Sequence, residues 1–167
     1  MALHPDFPTS PHVVLNPKLR KLAQTWRESG YVGATETSRS LLKWWFDSPH
    51  LLAQYDGPQV EFQYFNAQRE WTETIIYLVD VVGLRDKFDL MRFDSSGAVS
   101  ASMFDETWRR LVVEMATGAG KTKVLSLALA WSFYHKTYEE ASTLSRNFWL
   151  LHRTSSCSIV FTRTSRG

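Results

Sequence analysis

A single cysteine, Cys157, in 167 residues excludes an internal disulfide framework and any cysteine-rich metal site. Long apolar runs are missing too. Nowhere do roughly 18 apolar residues follow one another, so no segment reads as a membrane-spanning helix. The start, Met1-Ala2-Leu3-His4-Pro5, lacks the basic and apolar stretches of a secretory leader. Charge of one sign is scarce: 19 Lys and Arg stand against 17 Asp and Glu, a formal +2, and no dense basic cluster occurs. Charge therefore offers no argument for nucleic acid. The histidines, His4, His12, His50, His135 and His152, are scattered without ligand spacing and read as surface or core residues. No nuclease set of the Asp…Glu-x-Lys kind is visible, since Glu61-Phe62-Gln63 lacks the lysine, and there are no internal repeats. What is abundant is apolar and aromatic content, 44% and 14%, which belongs to a globular chain long enough for one core. A soluble, cytoplasmic protein with no membrane partner is expected.

The richest stretch is Glu114-Met115-Ala116-Thr117-Gly118-Ala119-Gly120-Lys121-Thr122, which reads as a phosphate-binding loop. A β-prone run, Leu111-Val112-Val113, precedes it and a helix-prone run, Val124 to Tyr134, follows. Gly118 and Gly120 allow backbone angles that other residues resist, so that successive N–H groups can face one anion. The following helix adds its positive end. Lys121 suits the β- and γ-phosphates of a nucleotide, and the Thr122 hydroxyl suits the Mg²⁺ they share. The common pattern has a glycine where Met115 stands. The competing reading is a glycine turn followed by a surface lysine.

Along the chain, residues 1–15 carry Pro5, Pro8 and Pro11 and are expected to be extended. Asn16-Pro17 predicts a helix start, with Leu19, Leu22, Ala23 and Trp26 on one face and Gly30 as the stop. A second helix is predicted from about Thr37 to Phe46, ended by Ser48-Pro49 and carrying Leu41, Leu42 and the paired Trp44-Trp45. The tryptophans read as core filling, with base stacking as the alternative. Asp56-Gly57-Pro58 predicts a turn. From Ala67, residues Trp71, Ile75, Leu78, Val79 and Val82 recur at helical spacing, with Asn66 as cap and Gly83 as end. Asp94-Ser95-Ser96-Gly97 marks a loop. In the helix after the phosphate loop, Val124, Leu125, Leu127, Ala128, Leu129 and Trp131 leave almost no polar face and predict burial on several sides. His135 to Ser145 reads as a polar surface loop.

Two segments together, Phe62-Gln63-Tyr64-Phe65-Asn66-Ala67-Gln68-Arg69-Glu70 and Thr117-Gly118-Ala119-Gly120-Lys121-Thr122, resemble the start of the helicase domain of type III restriction enzyme Res subunits and related DEAD/DEAH-box proteins of superfamily 2. The run from Phe104-Asp105-Glu106-Thr107-Trp108 to Tyr134 is similar to that family as well. The resemblance spans roughly 60–148. It implies an α/β fold: an incomplete RecA-like P-loop domain over 61–148, preceded by a mainly helical, partly extended N-terminal region, 1–60. It implies ATP and Mg²⁺ as cofactors, with Thr117, Gly118, Ala119, Gly120, Lys121 and Thr122 on the phosphates and Thr122 on the metal. Gln68 would contact adenine with an aromatic nearby, its amide offering donor and acceptor together. DNA, and a modification or specificity subunit of a restriction-modification system, are partners implied by the resemblance alone.

Hydrolysis by that mechanism also needs a carboxylate pair at the end of a later strand and arginines from a second domain. Neither is found. Asp105-Glu106 precedes the loop and reads as a surface or helix-start pair. Residues 149–167 fit neither the family nor a buried parallel strand, which would be nearly continuous in apolar residues. Taken one frame over, with TCN serine codons, Ser155, Ser156, Cys157 and Ser158 each become apolar, Ile159 becomes polar or Tyr, and Phe161 becomes apolar again. The expectation is that 149–167 is an out-of-frame, unselected tail. Without its Arg153, Arg163 and Arg166, the formal charge of +2 falls to −1. The leading functional expectation is an ATP-binding N-terminal part of an ATP-dependent DNA helicase or translocase, not competent in hydrolysis alone. The alternatives are a standalone P-loop nucleotide-binding or phosphotransfer protein, or a non-functional remnant.

Overall fold

The computed structural model describes residues 17–91, 93, 115, 118–153 and 156–161. The proline-rich start, the 94–97 loop, the predicted strand 111–113, Asp105-Glu106 and Thr117 lie outside the described residues.

Helix α1, Pro17–Glu28, begins at the proline, which has no N–H to leave unpaired in a first turn. Leu19, Ala23 and Trp26 are buried, whereas Leu22, at the edge of that stripe, is 44% exposed. The chain leaves α1 through Gly30 at φ 74°, with Tyr31 N donating to Trp26 O (3.0 Å) and Gly30 N to Arg27 O (2.9 Å). That pattern is a Schellman motif. Helix α2, Glu36–Asp47, is capped by Thr35, whose hydroxyl accepts from Ser38 N at 3.3 Å. It stops where Ser48 is forced extended ahead of Pro49. Of the tryptophan pair, Trp45 enters the core and Trp44 stays 57% exposed, edge-on to the His50 ring.

Strands β1, His50–Gln54, and β2, Gly57–Phe62, form an antiparallel hairpin with His50 opposite Phe62, Leu52 opposite Val60 and Gln54 opposite Gly57. The turn is predicted, but the strands are not: nearly every position in them is exposed, so no inside–outside alternation marks them. Pro58 is tolerated because both strands of a two-stranded ribbon are edges.

Helix α3, Asn66–Ile76, has Phe65 and not Asn66 in the cap position. A phenyl ring accepts no hydrogen bond from the first turn. Instead, Gln68 Oε1 reaches back to accept from Phe65 N at 3.0 Å, one half of a capping box. After Ile76 the helix widens into a π segment, Tyr77–Val81, closed by Val82 N to Tyr77 O at 3.0 Å and followed by Gly83 at φ 73°. A short helix α4 spans Lys87–Met91.

Helix α5, Lys121–Tyr138, runs the length of the core. Val124, Leu125, Leu127, Ala128, Trp131, Ser132 and His135 are buried, but Phe133, Tyr134 and Tyr138 face out, so one broad side is covered and not several. Trp26, Tyr31, Leu42, Trp45, Ile76, Val124, Leu127, Trp131 and Leu144 pack into one cluster shared by α1, α2, α3 and α5.

The predicted surface loop from His135 to Ser145 is corrected. Its first four residues finish α5, and Ser142, Leu144 and Ser145 are buried. Polarity misleads here because the polar groups satisfy one another: His135 Nδ1 is 2.7 Å from Ser142 Oγ, Nε2 is 3.0 Å from Asp80 Oδ1, and Ser132 Oγ donates to Ser145 O at 2.8 Å.

Two strands form at and within the tail. β3, Phe148–Arg153, and β4, Ser156–Phe161, pair antiparallel, setting Phe148 opposite Phe161, Trp149 opposite Val160 and Leu150 opposite Ile159. β-branched and aromatic residue types favour strands, despite the serines. Among the described residues both sheets are two-stranded and antiparallel.

Candidate functional site: a glycine loop at the head of α5

The loop closes on two left-handed residues, Gly118 at φ 83° and Gly120 at φ 82°, a conformation that disfavours any residue with a Cβ. Gly120 is the N-cap of α5 and brings no side-chain acceptor to it. Its carbonyl takes the N–H groups of Lys123 (2.9 Å) and Val124 (3.3 Å). The N–H groups of Lys121 and Thr122 thus find no acceptor within the helix, at its positive end. Lys121 is half-buried and Thr122 exposed, the Thr122 carbonyl accepting from Ser126 Oγ at 2.8 Å. Met115, in the place of the common first glycine, is half-buried and packs on the main core. A side chain there anchors the start of the loop.

Gln68 is brought to this loop across 51 positions of sequence. It is 5% exposed, unlike a solvated helix residue. Its Nε2 donates to Ala119 O at 3.3 Å while its Oε1 accepts from Phe65 N. A Cβ on Gly120 would come within 2.0 Å of Gln68 Nε2. The glycine is favoured by its φ, and a Cβ there would displace the Gln68 amide from Ala119 O.

Beside the first turn of α5 stands an aromatic wall that the sequence reading did not assign. Lys123 Nζ lies 5.3 Å from the Phe62 ring centre, Phe62 meets Tyr64 edge-on at 4.8 Å, and Tyr64 meets Phe46 at 5.2 Å. Burial raises the Tyr64 phenol above its ordinary value. Phe65, next to Gln68, is 63% exposed. The signal was there: aromatics at alternate positions, Phe62 and Tyr64, immediately ahead of the glutamine.

Two buried polar networks hold the helices that carry the site. Glu73 on α3, with no solvent exposure, accepts from Arg27 Nε (2.9 and 2.8 Å), Arg27 Nη2, Tyr31 hydroxyl (2.8 Å) and Arg69 Nε (2.8 Å). Burial first, and then the Glu73 charge, push the Tyr31 phenol well above its ordinary range. At the far end of α5, burial pushes the Asp80 carboxyl up, but hydrogen bonds from His135, Thr35 and Ser38 outweigh it and hold the carboxyl below its ordinary value. Ser142, His135 and Asp80 are the residue types of a hydrolase triad. Ser142 is buried, however, and its hydroxyl also accepts from Leu144 N at 3.3 Å, so the set is a packing device.

Among the described residues, no group of three His, Cys, Asp or Glu could hold a metal, and no helix is long and apolar enough to cross a membrane. Comparison with protein-family models, with curated proteins and with solved structures finds no match in any of the three.

Proposed function

We propose that this chain binds a nucleoside triphosphate with Mg²⁺, ATP by preference, and is the nucleotide-cradling part of an ATP-dependent DNA helicase or translocase similar to restriction enzyme Res subunits. One observation carries the reading: two left-handed glycines lead into an 18-residue helix without a side-chain cap, with the buried Gln68 amide seated against Ala119 and Gly120. The residues present suit the group. The backbone of Gly118, Ala119 and Gly120, with Thr117 ahead of them, suits a polyphosphate. Lys121 supplies a cation and Thr122 a hydroxyl for Mg²⁺. Bound Mg²⁺ would screen the phosphate charge. DNA and a modification or specificity subunit are the partners this reading includes.

The groups that activate water in such enzymes, a carboxylate pair on a later strand and arginines of a second domain, are not found in the sequence, so binding without turnover is expected. Isothermal titration of the chain with MgATP tests this. Lys121→Ala should weaken binding at least about tenfold, the scale of one charge-assisted hydrogen bond. No binding by the folded wild-type chain would sink the proposal. ATP hydrolysis in a single-turnover assay, lost in Lys121→Ala, would instead favour a standalone P-loop enzyme.

A further inference from the structure

Gln68 stands in the sequence reading as a base contact, yet in the structure its amide is bonded to the phosphate loop itself. We infer that Gln68 is a positioning residue that presets the loop for polyphosphate, whatever base is attached; the inference rests on the phosphate-site reading above.

The argument begins with the amide's two ends. Phe65 N–H needs an acceptor and Ala119 O needs a donor, so only one orientation of the carboxamide serves both: Oε1 at 3.0 Å from Phe65 N, Nε2 at 3.3 Å from Ala119 O. The side chain is thus fixed to the start of α3 at one end and to the loop at the other. Its backbone is equally tied, with Gln68 N donating to Phe65 O at 2.9 Å and Gln68 O accepting from Thr72 Oγ1 at 2.8 Å.

The consequence lies in the peptide that follows. The Ala119–Gly120 bond is trans, so its C=O and N–H point to opposite sides of the peptide unit. Holding Ala119 O on Gln68 turns the Gly120 N–H away from α3. On this inference the Gly120 N–H faces the anion's side of the loop before any ligand arrives. Gly120 fits the same contact, since only the missing Cβ lets the amide approach. Preorganisation of this kind raises affinity by lowering the cost of ordering the loop.

The test uses a ligand without a base. Magnesium tripolyphosphate and MgATP are titrated into the full chain and into Gln68→Met, which keeps volume and removes both amide groups. Both ligands should weaken about tenfold, about 1.4 kcal/mol. Unchanged tripolyphosphate affinity with weakened ATP would overturn the inference and leave Gln68 a reader of the base. Failure of the folded wild-type chain to bind either ligand would overturn the phosphate-site reading and this inference with it. Should Gln68→Met not fold, Gln68→Glu retains the acceptor for Phe65 N–H and sets two acceptors face to face at Ala119. In its ligand-free ¹H–¹⁵N spectrum, the Gly118 and Gly120 amides should shift while His135 and Ser142 stay in place. Unmoved glycine amides would count against the inference.

Discussion

The Glu73 carboxyl group is removed from water, and four donor atoms on Arg27, Arg69 and Tyr31 replace its hydration. Removing the carboxyl costs more than the cluster contributes, because Arg27 and Arg69, 31% and 23% exposed, are left close together with Asp47 beside Arg69 as the remaining counter-charge. Glu73→Ala should lower unfolding free energy by about 3 kcal/mol in urea titrations, the lower end for breaking a buried pair, since both arginines reach solvent. Tyr31→Phe removes a single donor and should cost about 1–3 kcal/mol. Two pH effects follow at the same scale. The Tyr31 phenol is pushed up in the folded state, so its contribution is intact below about pH 10, the unfolded value, and is lost as pH rises further. The Asp80 carboxyl is held down, so its contribution is present above about pH 4 and is lost as pH falls toward the folded value. Asp80→Asn should therefore flatten the acid limb of a stability-versus-pH curve and leave the alkaline limb unchanged. An unaltered acid limb would show that the Asp80–His135 bond carries no such linkage.

Helix α5 links the loop at its head to the N-terminal helices along its body. Trp131 Nε1 donates to Ser38 Oγ at 2.8 Å, and Ser38 Oγ is itself 3.0 Å from the Thr35 capping hydroxyl. Trp131→Phe keeps the ring and deletes this donor. It should cost about 1 kcal/mol and speed amide exchange in the first turn of α2 without altering exchange at Gly120. The elements legible in the sequence are those whose signal is local. Pro17 and Gly30 bracket α1, Ser48-Pro49 ends α2, and the glycine–lysine motif marks the head of α5. Illegible elements depend on distant partners or on none. The β1–β2 hairpin exposes Leu51, Leu52 and Val60 and so shows no buried face to a periodicity argument. The burial of His135 follows from Asp80, 55 residues away, and no window around His135 contains that information. The site divides the same way. Gly118, Gly120, Lys121 and Thr122 are visible as a motif, whereas the seating of Gln68 against Ala119 belongs to the fold.

At the scale of the whole molecule, the two hydrophobic clusters of the described residues draw on α1, α2, α3, the π segment and α5, and their last member in sequence is Leu144. The Ser145 carbonyl accepts from Ser132 on α5 while the Ser145 hydroxyl donates to Asn147 O at 2.9 Å. The β3–β4 hairpin begins directly beyond, at Phe148, and β4 lies against α5. A strand pair can form from backbone hydrogen bonding and apolar content alone, so its presence does not require a selected sequence. The proposal that 149–167 is an out-of-frame tail therefore predicts independence of the two parts. A chain ending at Asn147 should keep its cooperative melt within about 2–4 °C of the 167-residue chain, the shift that 1 kcal/mol produces at this size. It should also bind MgATP with the same affinity, since the loop, Gln68 and the walls around them precede the cut. A larger loss of stability, or loss of cooperativity, would make the hairpin a working part of the domain and end the tail proposal. Sequencing the encoding DNA gives the complementary result: one frame over from Phe148, the proposal requires an apolar strand in place of the serine run.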